Sequence, residues 1–380
     1  MAADGIRVRA PGKLFVLGEY AVLEPGAEAL VLAVPRFVKV RIEPDPGGAI
    51  ALDCPGLGIA KLGGRLDADG PRWDAGADVE LVKKKLRFVD AALALAAAIA
   101  RRERAEPRAF RMRIESELGA GSSKPGLGGS ASISTAVAAA LLAWCGVIET
   151  DVESDAARNR VFRIASLAHF VAQGRRGSGA DVAAAVMGGL VAYRNSGFDD
   201  LLGGAKSPST SELAEIASQP WPKLCLASAP WPEDHVFLAA ASGEAASTTG
   251  LVDRLGSLTG SQATLYATLR ADLGQLARDA VAAPSPAGWK RAMVRHQGLL
   301  EQFDAALGGA GIVTPALSRL AAAARERRAA AKISGAGGGD SVIALVETSE
   351  VEALDRAWTS LRRETLRIDR PVPGLTLHRD

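Results

Sequence analysis

The sequence predicts a two-domain protein of mixed α and β structure, on three observations. Its 380 residues are enough to build two hydrophobic cores. Strand-like alternation and helix-like periodicity are interleaved from one end to the other. A polar stretch rich in Gly and Ser, residues 197–218, reads as a linker near the middle of the chain. It separates an N-terminal domain, 1–210, from a C-terminal domain, 211–380.

In chain order, residues 14–17 form a short apolar strand, opened by Pro11-Gly12-Lys13 and closed by Gly18-Glu19. Glu24-Pro25-Gly26 turns the chain into a second strand over 29–34, and 36–43 alternates as a half-exposed strand. Residues 45–76, rich in Gly, Pro and Asp, read as an irregular excursion or hairpin. A helix follows over 79–101, whose Lys83-Lys84-Lys85 and Arg87 are most simply a solvated basic face. Phe110, Met112 and Ile114 then alternate with Arg111, Arg113 and Glu115, which predicts a strand.

The stretch 119–142 is the most informative. Glycine and serine crowd residues 119–130; from Ala131 onward, Ile133, Val137, Leu141 and Trp144 fall on one helical face. A loop poor in side chains that enters a helix presents unpaired N–H groups and the positive end of the helix dipole at one point. That is an anion site, phosphate being the usual anion. Lys124 adds a positive charge. No Gly-Lys-[Ser/Thr] triplet of the Walker type occurs. Gly126, Gly128 and Ala131 do match G-x-G-x-x-A, but eleven loop-like residues, 117–127, separate the strand from the helix start. A dinucleotide fingerprint needs the strand to run almost directly into the first glycine.

Residues 155–173 read as a helix with Val161, Ile164, Ala168 and Val171 inward. His169 lies beside that face and suits a core or supporting role better than metal ligation. Asp181 follows Gly174-Arg175-Arg176-Gly177-Ser178-Gly179-Ala180 and opens a small-residue helix over 182–187. By position it reads as an N-cap; the functional alternative is a carboxylate that orients or deprotonates an acceptor. A strand over 224–229 begins the second half. Ser247, Thr248 and Thr249 stand at the mouth of a further helix and suit phosphate contact. Alanine-rich helices run to Arg328, one of them started by Thr314 and Pro315. Four glycines within 335–339 then precede a strand over 341–346, so backbone approaches something closely there.

A net charge of +2 with no long basic stripe argues against a dedicated nucleic-acid binder. Cys54, Cys145 and Cys225 are too scattered for a zinc site and suit free thiols in a reducing compartment. The longest apolar run, 91–100, is too short to span a bilayer, and residues 1–9 lack the apolar core of a leader. The expectation is a cytoplasmic protein without membrane partners.

Pro11-Gly12-Lys13 with Gly18-Glu19, then Gly126-Leu127-Gly128-Gly129-Ser130-Ala131, then residues 335–340 resemble the three motifs of the GHMP kinases, in that family's order. The resemblance implies an α/β N-terminal domain carrying the central loop, packed on a ferredoxin-like α+β C-terminal domain. ATP and substrate would lie in the cleft between them. It implies that Gly126, Leu127, Gly128, Gly129, Ser130 and Ala131, helped by Lys124, hold the ATP phosphates, and that Ser130 touches Mg2+. Lys13 and Asp181 match the family's catalytic lysine and aspartate. Ser178, Ser247, Thr248, Gly337 and Gly338 would join them around the substrate.

The likeness is greatest to the branch of the family whose acceptor is mevalonate 5-phosphate. It is carried by residues 13–26, 168–186 and 245–248, Thr314-Pro315 and 334–340. Three departures stand out. Gly129 replaces the first of two serines, Ser341 stands where that branch commonly has cysteine, and His169-Phe170 occupy the region of a helix glutamate that binds Mg2+ in mevalonate kinase. For a phosphate acceptor the main task is to offset repulsion between two anions. Lys13, Mg2+, the helix N-terminus, Lys124 and one of Arg175, Arg176 or Arg194 would do so. The alternatives are a kinase of the same fold with an alcohol acceptor and a catalytically silent nucleotide-binding regulator. A decarboxylase of the family would not be expected to carry the Lys13-type lysine.

Overall fold

The computed structural model describes residues 5–380 except 75, 120–125, 150, 151, 153 and 245–247. Strands β1 (Ile6–Leu17), β2 (Glu28–Pro44), β3 (Ile50–Cys54), β4 (Ile59–Asp67) and β5 (Gly70–Trp73) lead into helix α1 (Val79–Arg102) and strand β6 (Phe110–Ser116). Helices α2 (Gly129–Trp144), α3 (Asp155–Ala172) and α4 (Ala180–Met187) precede β7 (Leu190–Arg194), α5 (Phe198–Leu201), α6 (Thr210–Ser218) and β8 (Cys225–Ser228). The chain continues through β9 (His235–Ala241), α7 (Thr248–Gly256), α8 (Gly260–Ala282), α9 (Pro286–Ala306) and α10 (Pro315–Arg325). It ends with β10 (Ala330–Ser334), β11 (Ser341–Glu347), α11 (Val351–Ser360), β12 (Thr365–Ile368) and β13 (Thr376–Arg379).

Two sheets result. The first runs β13-β1-β2-β6-β3-β4-β5, with β7 and β8 continuing from the early half of β2. Every pairing in it is antiparallel except β3 with β6. The second is an antiparallel β10-β11-β9-β12 sheet whose chain order, strand–helices–hairpin–helix–strand, is the expected ferredoxin-like arrangement.

The apolar run of β1 is explained by burial on both faces. Phe15, Ala29 and Val31 lie in the first core, where β1 and β2 meet α2 and α4. Leu14, Val16, Leu30 and Leu32 face the other way and pack with Phe237, Ile343, Trp289 and Met293 of the second sheet and α9. Burial on both faces favours a continuous apolar strand over an alternating one.

Several sequence expectations change. The strand expected over 14–17 is the end of a twelve-residue β1, since Pro11-Gly12 makes a bulge within the strand rather than a turn before it. The strands over 29–34 and 36–43 are one strand, β2, which meets β7 with its first half and β6 with its second. Residues 45–76 hold three strands, β3 to β5. The linker expected over 197–218 is instead α5 and α6, with Phe198, Leu213, Ala214 and Ala217 in the first core. The chain crosses to the second sheet over 229–234, and β13 returns to the first. The three cysteines are free, and among the described residues no helix is long and apolar enough to cross a membrane.

Candidate active site

Strand alternation puts Lys13 and Phe15 on the face of β1 that meets the helices. Lys13 is only 7% exposed. Its ammonium lies 4.9 Å from the centre of the Phe15 ring, donates to the Gly126 carbonyl at 3.4 Å and stands 3.7 Å from Oδ2 of Asp181. The Lys13 backbone N–H donates to the Leu127 carbonyl at 2.9 Å, so the end of the central loop is stitched to this strand.

Gly128 ends that loop as the N-cap of α2, at φ 75°. A Cβ there would come within 2.9 Å of Cγ of Lys13, so only glycine lets the loop lie on the lysine stem. The Ser132 hydroxyl donates to the Pro11 carbonyl at 2.8 Å and pins the first turn of α2 to β1. The first N–H groups of α2, those of Gly129, Ser130 and Ala131, have no intrahelical acceptor and mark its positive end.

Asp181 arrives from α4. Gly179, at φ 83°, is the N-cap, so Asp181 stands in the first helical turn rather than at the cap the sequence suggested. A carboxylate there is favoured by the helix dipole. Its side chain is 30% exposed, open enough to meet a ligand.

His169, buried on α3, places Nε2 3.1 Å from the Ser130 hydroxyl and stacks on Phe88 at 5.2 Å. Burial lowers its imidazole to about 4, with Lys13 and Arg87 acting in the same direction and Asp181 opposing. Asp340, which starts the return into β11, is buried against Gly126. Burial raises its carboxyl to about 6, and Lys13 pulls it part of the way back.

A buried charge cluster joins the two sheets behind this mouth. The Glu19 carboxylate accepts from the Lys332 ammonium, lies 3.0 Å from Nε2 of His296 and accepts the Gly335 N–H at 3.4 Å. Burial alone would raise the Glu19 carboxyl, but Lys332 and His296 bring it down to about 2. For Lys332 burial outweighs the same carboxylate, and its ammonium is held below the usual lysine range. We take both groups as charged, because a neutral amine would leave the carboxylate buried without a counter-charge. The Tyr20 hydroxyl also donates to the Ala336 carbonyl, and the Ser334 hydroxyl accepts the Phe15 N–H at 2.8 Å. The glycine-rich loop is thereby locked to β1.

Of the residues singled out in the sequence, Lys13, Gly126, Leu127, Gly128 and Asp181 come together directly, and Gly129, Ser130 and Ala131 continue from them into α2. Lys124 and Ser247, and the side chain of Thr248, lie outside the described residues. The buried Ser178 hydroxyl accepts the Ala180 N–H at 3.4 Å. A Cβ on Gly337 would come within 2.4 Å of the Ile312 carbonyl, which also accepts the Gly338 N–H at 2.9 Å. Both glycines therefore serve close loop packing.

Among the arginines, Arg194 is tied to Glu28, Arg175 to Asp199 and Arg176 to Asp253. Lys83 pairs with Glu80 and Lys85 with the Leu57 carbonyl, in keeping with a solvated face. Sequence reading did not anticipate the Glu19–Lys332–His296 cluster; the lysine inside the apolar AAKIS strand was its only local signal.

Among the described residues no three His, Cys, Asp or Glu side chains converge as a metal cage. The hard oxygens at the mouth, Ser130 Oγ and the Asp181 carboxylate, nevertheless suit a Mg2+ carried mainly by phosphates.

The matches with known proteins follow the same geometry. Residues 87–189, which hold the central loop and Asp181, match the model of the GHMP kinases N terminal domain, and 277–362 match that of the GHMP kinases C terminal domain. A phosphomevalonate kinase from Streptomyces sp. (strain CL190) is 31% identical over 350 residues, 89% of either chain. Human mevalonate kinase is 26% identical, with 100% of this chain and 96% of that protein covered. Among solved structures, a Listeria innocua protein superposes with a TM-score of 0.83 at 26% identity over 99% of both chains. The Streptococcus pneumoniae phosphomevalonate kinase, in complex with phosphomevalonate and AMPPNP, gives 0.73 at 22% identity over 98% of this chain and 99% of that one. With a lysine of β1 set between the first turns of α2 and α4, and both family models matched in order, this chain belongs to the GHMP kinases.

Proposed function

We propose that the protein transfers the γ-phosphoryl group of ATP to mevalonate 5-phosphate, giving mevalonate 5-diphosphate and ADP. The observation that carries this reading is the Lys13 ammonium, buried beside both the Gly126 carbonyl and Asp181 at the mouth of α2. The Streptomyces relative, a phosphomevalonate kinase, supports the choice of acceptor.

The acceptor phosphate is mostly a dianion near neutral pH, with a second pKa of about 6, so its attack needs no strong base. The obstacle is charge. Two phosphates a few ångströms apart repel by several kcal/mol even at an effective dielectric of about 20. Lys13 and the N–H groups of α2 offset that repulsion and stabilise the charge spread over the transferring group. Asp181 orients the Lys13 ammonium toward the incoming oxygen. An acceptor oxygen bonds to the γ-phosphorus as its bond to the bridging β-oxygen breaks, and ADP leaves.

Gly126, Leu127, Gly128, Gly129, Ser130 and Ala131, with Lys124, hold the nucleotide phosphates in this reading. Ser130 would hold Mg2+, which when bound supplies further neutralisation of the phosphate charge. Ser178, Ser247 and Thr248 form the acceptor side, and the loop bearing Gly337 and Gly338 walls the mouth. Arg175, Arg176 and Arg194 already have carboxylate partners and are secondary to Lys13.

The test is turnover with ATP and Mg2+, mevalonate 5-phosphate being compared with mevalonate. The expected outcome is a kcat/KM for the phosphate at least about a hundredfold higher, because a site built for an anion discards the analogue that lacks it. Preference for mevalonate would overturn the assignment of acceptor and leave the kinase family intact.

A further inference from the structure

His169 takes no part in the chemistry above, yet it sits directly behind the nucleotide end of the site. The residue is 6% exposed and its ring lies flat against Phe88, the planes 22° apart. The one side chain its Nε2 reaches among the described residues is Ser130, at 3.1 Å. The polar groups around it come from four elements: Lys13 of β1, Arg87 of α1, Ser130 of α2 and Asp181 of α4. Two of these are cations and one is an anion, so a protonated ring would add charge to an already positive corner.

A serine hydroxyl has one proton and two lone pairs, and it turns freely until a partner fixes it. At the first turn of α2 the outcome matters. If the proton points to the mouth, Ser130 presents a donor to phosphate oxygens and repels a cation. If the proton points to His169, both lone pairs are free for the mouth. An imidazole with Nε2 unprotonated is the acceptor that achieves the second arrangement without adding charge. A carboxylate would also accept the proton, but it would place an anion behind the phosphates that the site must gather.

We propose that His169 is a positioning residue that accepts the Ser130 hydroxyl proton at Nε2 and turns the oxygen's lone pairs toward the ligand mouth at the start of α2. This rests on the kinase reading of that mouth but not on the identity of the acceptor. The stacked Phe88 ring fixes the imidazole plane, so the bond is held in one direction. His169 would thereby tune how well Ser130 receives the cation that accompanies the nucleotide.

The test is a double-mutant cycle read out as the dissociation constant of a non-hydrolysable ATP analogue, with and without Mg2+. Ser130→Ala and His169→Leu are each expected to weaken Mg2+-dependent binding by about ten- to a hundredfold, the range for groups behind a metal ligand. His169→Leu added to Ser130→Ala is expected to change it by less than about twofold, since the histidine acts through the serine. His169→Gln, whose amide reaches the place of Nε2, is expected to recover most of the loss. Independent losses that multiply in the double variant, or a glutamine variant no better than leucine, would overturn the proposal.

A second measurement needs no variant. Nitrogen-15 spectra of the histidine rings in the unaltered protein are expected to show His169 with its proton on Nδ1; a proton on Nε2 would overturn the proposal as well. Because both readouts concern nucleotide binding and the ring itself, they stand if mevalonate 5-phosphate proves to be the wrong acceptor. That failure would appear only as absent turnover in the unaltered enzyme.

Discussion

The Lys13 ammonium and the Asp181 carboxylate lie 3.7 Å apart, one within the buried second half of β1 and the other in the first turn of α4. In the proposed mechanism the carboxylate aims the lysine, and the acceptor phosphate needs no general base. Lys13→Met is expected to reduce kcat by about a thousandfold or more, as for loss of a donor to developing charge. Asp181→Asn is expected to cost less, and its pH–rate profile keeps the acidic limb. Steady-state turnover from pH 5 to 9 checks both. A loss well beyond a thousandfold in the asparagine variant, together with loss of that limb, would make Asp181 a general base instead.

Gly128 offers a test of the loop that does not touch a reacting group. Its φ of 75° and the 2.9 Å approach of a Cβ to Cγ of Lys13 set two separate costs for Gly128→Ala. The left-handed backbone alone costs about 1 kcal/mol for a residue with a Cβ. The contact pushes the lysine stem from its place. The expected result is a modest loss of stability, about 1–2 kcal/mol by denaturant unfolding, with a fall in kcat of at least about tenfold. A stability loss without a change in kcat would show that the loop does not set the lysine.

Local chemistry explains which features were legible in the sequence. The strand Phe110–Ser116 and the helix from Gly129 carry their patterns in consecutive residues, and the structure keeps both. Lys13, Gly128 and Asp181 stand out because glycine or a lone charge occurs where packing alone would not select it. Pro11-Gly12 misled, since a bulge and a turn use the same residues, and only pairing with β2 tells them apart. Residues 197–218 misled because their polar composition hides the few apolar side chains that reach the core. Glu19 with Lys332 and Ser130 with His169 are separated by 313 and 39 residues, and no local periodicity brings such pairs together.

Asp340 gives a pH signature. Its carboxyl rises from an ordinary 3.8 to about 6, chiefly through burial. In the unfolded chain the group ionises first, so the folded state is disfavoured progressively as pH rises from about 4 through about 6. The loss is on the order of 3 kcal/mol and is complete above the folded pKa. Asp340→Asn keeps the shape and cannot ionise. Urea unfolding between pH 4 and 7 is expected to show that decline in the unaltered protein and a flatter profile in the variant. Parallel profiles would mean that the carboxyl ionises in the fold as readily as outside it.

The Glu19–Lys332 pair is expected to be the opposite case, a carboxylate whose ionised form the fold requires. Both side chains are buried, and Glu19 is lowered from 4.5 to about 2 by Lys332 and His296 against the effect of burial. A group with a lowered folded pKa stabilises fully above its unfolded value, so this contribution is intact above pH 4.5 and is lost as pH falls through about 2. Lys332→Met leaves the carboxylate buried beside His296 alone, at an expected cost of about 3–5 kcal/mol near neutral pH. The cost should shrink on acidification, because the stranded Glu19 then takes up a proton at a higher pH than in the unaltered protein. Replacing both, as Glu19→Leu with Lys332→Met, removes the charge along with its partner and should recover much of the loss. Urea midpoints at pH 4 and pH 7 measure all of this. A single lysine variant within about 1 kcal/mol of the unaltered protein at pH 7 would show that the two sheets are joined here by packing and not by charge.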